Sequence, residues 1–194
     1  MSPAGAPALS LVSLSKRFGA TQALDDVDFA VQRGEVVALM GANGAGKSTL
    51  AKIASGVIRP DGGRIFISGR EISLSSPQAA RAAGIGVVHQ STDQLGVPGL
   101  SVGENLLLDR LCGGGMGALV SRRRLFERAR AVADGIGLDA PLDQDFSALG
   151  PAHRQLVAIA RAVAADASVL VLDEPTASLS AVEAERLFSV VDRL

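Results

Sequence analysis

Gly41-Ala-Asn-Gly-Ala-Gly-Lys47-Ser48-Thr49 decides how the rest of this 194-residue chain is read. It follows the aliphatic run Val36-Val-Ala-Leu-Met40, which reads as a strand, and precedes Leu50 to Gly56, a segment able to continue as a helix. Glycines let the backbone bend so that successive N–H groups face one oxyanion at the positive end of a helix, and Lys47 adds a mobile full charge. The order strand, GxxxxGK[ST], helix points to a nucleoside triphosphate. A glycine-rich turn with an incidental lysine accounts for the glycines but not for the ordered Lys-Ser-Thr. Gly41, Ala42, Asn43, Gly44, Ala45, Gly46, Lys47, Ser48 and Thr49 are therefore the expected phosphate-binding residues.

A second half of the site follows from Val169-Leu-Val-Leu172, a continuous aliphatic stretch of the kind buried on both faces of a parallel sheet, ending in Asp173-Glu174. Open α/β sheets bind ligands at the carboxyl edge of their strands, so the two acids are expected beside the phosphate loop. There Asp173 holds magnesium, directly or through water, and the Ser48 hydroxyl is a further ligand. Glu174, one residue on, is placed to orient and partly deprotonate an attacking water.

Composition narrows the partners. Lys and Arg number 19 against 20 Asp and Glu, so there is no basic field to recruit nucleic acid, and a bound polyanion must be held locally. The single cysteine, Cys112, forms no internal disulfide and has no metal-site spacing around it, which fits a reducing interior. Met1-Ser-Pro-Ala-Gly-Ala-Pro lacks the basic start and apolar stretch of a signal peptide. The greasiest region, Leu156 to Leu172, is interrupted by Arg161 and Asp166, so a membrane connection is expected to run through a partner.

Along the chain, Leu9 to Phe18 and Val27 to Val31 are alternating segments around Gly19-Ala-Thr-Gln22, an expected antiparallel hairpin. Arg59-Pro-Asp-Gly-Gly63 is a turn by composition, Arg64 to Ser68 a strand, Ser76-Pro77 a helix start, and Ile85 to His89 a buried strand. From residue 91 to 150 the pattern turns helical, with Gly113 to Gly117 as a break, and the best helix runs from Ser121 with Leu125, Ala129, Val132 and Ile136 along one face. Arg122-Arg123-Arg124 reads as its solvated first turn. Gln155 to Ala165 is a further helix, and Ser180-Ala-Val-Glu183 is a capping box opening the last one, which turns Leu187 and Val190 or Val191 inward.

Gly41 to Thr49, Gln90 after Val87-Val-His89, the helix from Gln155 to Val163, and Val169 to Thr176 resemble the Walker A, Q-loop, post-signature helix and Walker B of an ABC transporter ATPase. Within that family, Gly84 to Gln90, Leu100-Ser-Val-Gly-Glu-Asn105 and Glu174-Pro-Thr-Ala-Ser-Leu179 are most similar to the first ATPase domain of tandem sugar-import subunits of ribose, galactose and xylose type. The resemblance implies an α/β P-loop NTPase fold with a mostly parallel sheet core, an N-terminal antiparallel hairpin and an inserted helical subdomain. The core spans residues 1–90 and 151–194, and the subdomain about 91–150. Gln90 is implied to reach the metal or the attacking water. Phe18 falls where the family stacks an aromatic on adenine; a core phenylalanine on a hairpin is the competing reading. His89 is left unassigned.

Leu149-Gly150-Pro151-Ala152-His153 occupies the place of the signature motif, with Gly150 for its serine and Ala152 for its second glycine. That weakens the γ-phosphate contact it is expected to make to a partner domain's ATP. Neither His89 nor His153 matches the family's switch histidine, which with any second ATPase domain is expected beyond Leu194.

The resemblance thus implies Mg-ATP binding and hydrolysis coupled to solute, most readily sugar, uptake. The implied partners are membrane-spanning permease subunits and a second ATPase domain in the same polypeptide or another copy. A solute-binding protein is linked indirectly, no direct nucleic acid is expected, and the location is cytoplasmic at the inner face of the cell membrane. Turnover by this chain alone is expected to be weak. The rivals are a non-transport ABC ATPase acting on DNA or ribosomes, a P-loop small-molecule kinase, and a nucleotide-gated module with little turnover.

Overall fold

The computed structural model describes residues 5–88, 95–112, 121–177 and 179–194. The opening hairpin forms as its alternation predicts: β1 (Leu9–Phe18) and β2 (Thr21–Val31) pair antiparallel. The turn is tighter than Gly19 to Gln22, because Thr21 and Gln22 already sit opposite Phe18 and Arg17. β3 (Gly62–Ile67) pairs with the other edge of β1, and β4 (Arg70–Ile72) with β3, giving an antiparallel sheet ordered β2-β1-β3-β4.

Leu9, Leu11 and Leu14 of β1 are buried, and the step from 11 to 14 breaks the two-residue period that one face of a strand requires. A bulge absorbs it. Ser13 turns to φ 52° and donates its N–H to Asp28 Oδ1 at 2.7 Å, while the neighbouring strand supplies Gly63, where an added Cβ would lie 2.6 Å from the Ser13 carbonyl oxygen.

α1 (Lys47–Ala54) turns Leu50, Ile53 and Ala54 inward and packs on β2. α2 (Pro77–Ala82) starts as its sequence predicts, with Ser76 Oγ accepting from Ala79 N–H and proline in the first turn. The aliphatic run Val36 to Met40 differs from its reading. It forms no strand, its backbone has no ladder partner among the described residues, and Val36 and Met40 are 68% and 90% exposed. A short apolar run does not specify its own element, since a strand exists only by pairing.

β5 (Ile85–Val88) and β6 (Val169–Leu172) make a second sheet. The Gly84 carbonyl accepts from Ser168 and Val169 and the Val88 carbonyl from Asp173, so these strands run in one direction; they are the parallel pairing seen among the described residues. Val169 is buried and the other three residues of β6 are half-buried.

The chain divides into two compact units, Met1–Gly86 with Ser168–Val171, and Val87–Ala167 with Leu172–Leu194. In the second unit lie α3 (Val102–Leu106), α4 (Leu108–Cys112), α5 (Arg122–Ile136), α6 (Pro151–Ala164) and α7 (Ala181–Val191). α5 begins at its Ser121 cap and buries Leu125, Ala129, Ala133 and Ile136; Ala133, a four-residue step from Ala129, takes the place predicted for Val132, which sits at the margin. Its first-turn arginines are exposed, as read. α6 starts earlier than Gln155, because Pro151 is preset for a first helical turn and Gly150 takes the extended cap conformation. α7 carries the predicted capping box and buries Leu187 and Val190. The glycine break at 113–117 lies outside the described residues.

Asn105 of α3 is fully buried and holds residues 97–101 to the helix. Its Oδ1 accepts from Val97 N–H at 2.7 Å, and its Nδ2 donates to the carbonyls of Val97, Leu100 and Ser101 at 3.1, 3.3 and 3.1 Å. Asn105→Ala orphans the Val97 N–H and takes one of two donors from each of the Val97, Leu100 and Ser101 carbonyls, which keep the N–H groups of Leu100, Phe146 and residue 105. The expected outcome is a destabilisation of about 2–4 kcal/mol, read as a lower urea midpoint at unchanged slope.

Candidate functional site

The loop from Gly41 to Gly46 is built from one turn and one close approach. Ala45 N–H donates to the Ala42 carbonyl at 3.2 Å, and Gly44, third in that turn, sits at φ 85°, a value open to glycine at little cost. Gly46, at φ 87°, then caps α1; a Cβ there would lie 2.5 Å from the Ala23 carbonyl oxygen and 2.9 Å from Leu24 Cδ2 of β2. No other residue fits between loop and strand.

Because Gly46 has no side chain, α1 starts without a side-chain cap, and the N–H groups of Lys47, Ser48 and Thr49 have no partner among the described residues. Three orphan donors at the positive end of a helix are the arrangement an anion site requires. Lys47 Nζ bends over the same loop and donates to the carbonyls of Gly41 at 2.6 Å and Ala42 at 2.8 Å. A phosphate dianion competes well for that ammonium, since ion–ion attraction adds to the hydrogen bond and a neutral carbonyl offers none.

Helix starts elsewhere are treated differently. α2, α3, α5 and α7 each have a serine cap whose hydroxyl accepts a backbone N–H, and the boxes at Ser101 and Ser180 hold the Glu104 and Glu183 carboxyls below their ordinary range through the serine hydroxyl first and the backbone N–H second. α1 and α6 alone among these six begin at a glycine with no side-chain cap. They are the two helices whose starts carry the predicted phosphate-handling motifs.

At the start of α6, Leu149 is buried, Pro151 is exposed and Ala152 is buried. Gly150 has extended backbone, and a Cβ there meets nothing within 4 Å, so a serine fits without strain. His153 is half-buried on the first turn. Arg154, unassigned in the sequence, and Gln155, read there only as a helix start, follow: Arg154 Nη2 donates to the Ser147 carbonyl at 2.6 Å and its guanidinium lies 5.8 Å from the Phe146 ring centre, while Arg154 Nε and Gln155 Nε2 are buried without a partner among the described residues. Their signal was charge and amide next to a motif.

The carboxylates belong to the second unit. Asp173 N–H donates to the Val88 carbonyl at 3.0 Å, making Asp173 the last rung of the β5–β6 ladder. Glu174 turns the chain at φ 47°, a left-handed conformation that costs an L-residue roughly 1–2 kcal/mol, and Ala177 N–H closes the turn onto its carbonyl at 3.2 Å. Ser13, Asp26, Ser68 and Asp166 share this left-handed conformation. Gln90 and His89 lie outside the described residues, as does Ser178.

Phe18, in the unit that holds the phosphate loop, ends β1 with 46% of its surface exposed, which removes the reading of it as a core residue. Gly46 touches β2 at Ala23 and Leu24; Leu24 pairs with Lys16, two residues before Phe18. Lys16 lies over the ring and Asp61 pairs with Lys16, roles that the sequence reading assigned to neither. Residues two apart share a strand face, so Lys16 was legible beside Phe18, whereas Asp61 arrives from the segment before β3.

The family model described as ABC transporter matches residues 24–177. The ribose import ATP-binding protein RbsA of Corynebacterium glutamicum is 42% identical over 189 residues, covering 97% of this chain and 35% of that protein. A putative ribose/galactose/methyl galactoside import ATP-binding protein of Burkholderia ambifaria is 43% identical over 194 residues, covering 99% and 37%. The chain thus spans about a third of the length of these curated relatives. Among solved structures, cbiO1 of Clostridium perfringens, part of the ABC transporter complex cbiONQ, is similar with a TM-score of 0.80 at 26% identity, covering 96% of this chain and 73% of that one.

Gly46→Ala tests the close approach. It is expected to destabilise the chain by about 1–3 kcal/mol in a denaturant titration, from the left-handed backbone and the clash with Ala23 together, and to abolish measurable phosphate binding at the loop.

Proposed function

The chain belongs to the ABC transporter family, and from that premise we propose that it is the ATP-binding and ATP-hydrolysing cassette of a sugar importer. The observation that carries this reading is the uncapped start of α1, with three free amides under the Lys47 ammonium. The donors are complementary to the β- and γ-phosphates of ATP. The names of the ribose and galactose import relatives support sugar as the solute class.

Gly41 to Thr49 grip the phosphates, with Lys47 moving from its loop carbonyls to the β/γ oxygens. The hydroxyl of Ser48 and the carboxylate of Asp173 are hard oxygen donors suited to Mg²⁺, with Gln90 a further ligand. When bound, the ion neutralises charge developing on the transferred phosphoryl group. Glu174 orients water in line and accepts its proton, assisted by Gln90, and Phe18 stacks on adenine. Catalysis here is positioning and electrostatics. In this proposal residues 1–90 and 151–194 are the nucleotide-binding core and about 91–150 the helical subdomain.

Among the described residues no helix is long and apolar enough to cross a membrane. In this proposal coupling to transport runs through permease subunits at the inner face of the cell membrane, with a second ATPase domain opposed to this one and a solute-binding protein engaged indirectly. The glycine-started α6 is the signature helix offered to the partner domain's ATP. Gly150 and Ala152 favour a weak partner site, and so unequal sites in the assembly.

Lys47→Ala removes the charge-assisted contact. Mg-ATP affinity in a calorimetric titration is expected to fall about ten- to two-hundredfold, and full retention defeats the reading. In the assembly, Gly150→Ser with Ala152→Gly is expected to raise single-turnover hydrolysis at the partner's site; an unchanged rate there removes the unequal-site proposal while leaving this chain's own ATP site standing.

A further inference from the structure

We propose that Lys16, clamped by Asp61, is a positioning residue for the base of the bound nucleotide, acting through the Phe18 ring. The inference rests on the reading of this chain as an ATP-binding cassette with Phe18 at adenine, and adds to it the group that prepares the ring.

Lys16 Nζ lies 5.5 Å from the Phe18 ring centre, over the ring, and 2.7 Å from Asp61 Oδ1. Asp61 is itself tied to β1 twice: its Oδ2 accepts from Arg17 N–H at 2.7 Å, and its own N–H donates to the Ser15 carbonyl at 2.9 Å. Arg17 is kept out of the way, its Nε donating to Gln22 Oε1 at 2.8 Å while Gln22 Nε2 donates to the Leu24 carbonyl at 2.7 Å. The Lys16 side chain is only 15% exposed, although its ring partner is 46% exposed. A buried stem and a pinned head under an open ring form a prepared surface rather than a packed one.

The chemistry follows from the ring quadrupole. An ammonium on one face draws π density toward itself and leaves the other face less negative, which favours stacking of an electron-rich purine. Lys16 has already lost its rotamer freedom to Asp61, so the ligand does not bear that cost on binding. The phosphate loop approaches the same place, since Gly46 meets β2 at Leu24, the partner of Lys16. A purely structural role accounts for little: an ion pair with Asp61 half exposed contributes little stability, and Phe18 leaves 46% of its surface open to solvent.

The test uses the 194-residue chain, with Mg-ATP and magnesium tripolyphosphate as probes in calorimetric titrations. Lys16→Met is expected to weaken ATP about three- to tenfold and to leave tripolyphosphate unchanged, because only ATP carries a base. Lys16→Arg keeps ATP affinity, Asp61→Asn loses part of it and serves where Lys16→Met fails to fold, and in a Phe18→Leu background Lys16→Met has no further effect. Equal losses for both probes, no loss for ATP, or additive losses with Phe18→Leu overturn the proposal. If Phe18→Leu weakens ATP but Lys16→Met does not, only the role of Lys16 falls. If Phe18→Leu is silent, the stacking reading falls with it, and an unaltered chain that binds no ATP overturns the cassette reading and this proposal together.

Discussion

The absence of a side chain at Gly46 is the constraint on which the rest of the first unit depends. With a β2 carbonyl 2.5 Å from where a Cβ would stand, the phosphate loop rests directly on the sheet, and the first turn of α1 is aimed by that contact. The sheet behind it is held in register by the bulge at Ser13 and the tight approach at Gly63. A phosphate site needs amides at fixed angles, and here the angles are set by strands rather than by loop chemistry.

The treatment of helix starts extends this logic to the whole chain. Serine hydroxyls satisfy the opening amides of α2, α3, α5 and α7, which have only to be stable. α1 and α6 forgo a side-chain cap and start at a glycine, at a cost of only a few tenths of a kcal/mol each relative to a serine or asparagine. Glu174 follows the same pattern in its backbone, held in a left-handed conformation that a glycine or asparagine would tolerate better. Local stability is given up where ligand chemistry is proposed, and recovered in the capped helices and in the fully satisfied Asn105.

Much of this was legible in the order of residues. The hairpin, the Ser76-Pro77 helix start, α5 from Ser121, the strand Val169–Leu172 and the Ser180–Glu183 capping box follow from short-range rules of alternation, capping and turn chemistry, and the structure carries these elements, with a tighter hairpin turn and with Leu170, Val171 and Leu172 half-buried rather than buried. Motif spacing marked the phosphate loop and the two acids. Less legible were contacts that join distant segments: Asp61 reaching Lys16 across 45 positions, or the replacement of Val132 by Ala133 at the centre of the buried face of α5.

The sequence by itself determined the residue types on which the proposed chemistry rests, because a glycine-rich turn followed by lysine and hydroxyls, and acids at a strand end, are patterns written within a few positions of one another. Only the tertiary structure decided how far the side chains around that chemistry are prepared. Strand pairing and close approach depend on which segments meet, and those meetings expose Val36 to Met40, lay Gly46 on β2, and bring Asp61 to the lysine over Phe18.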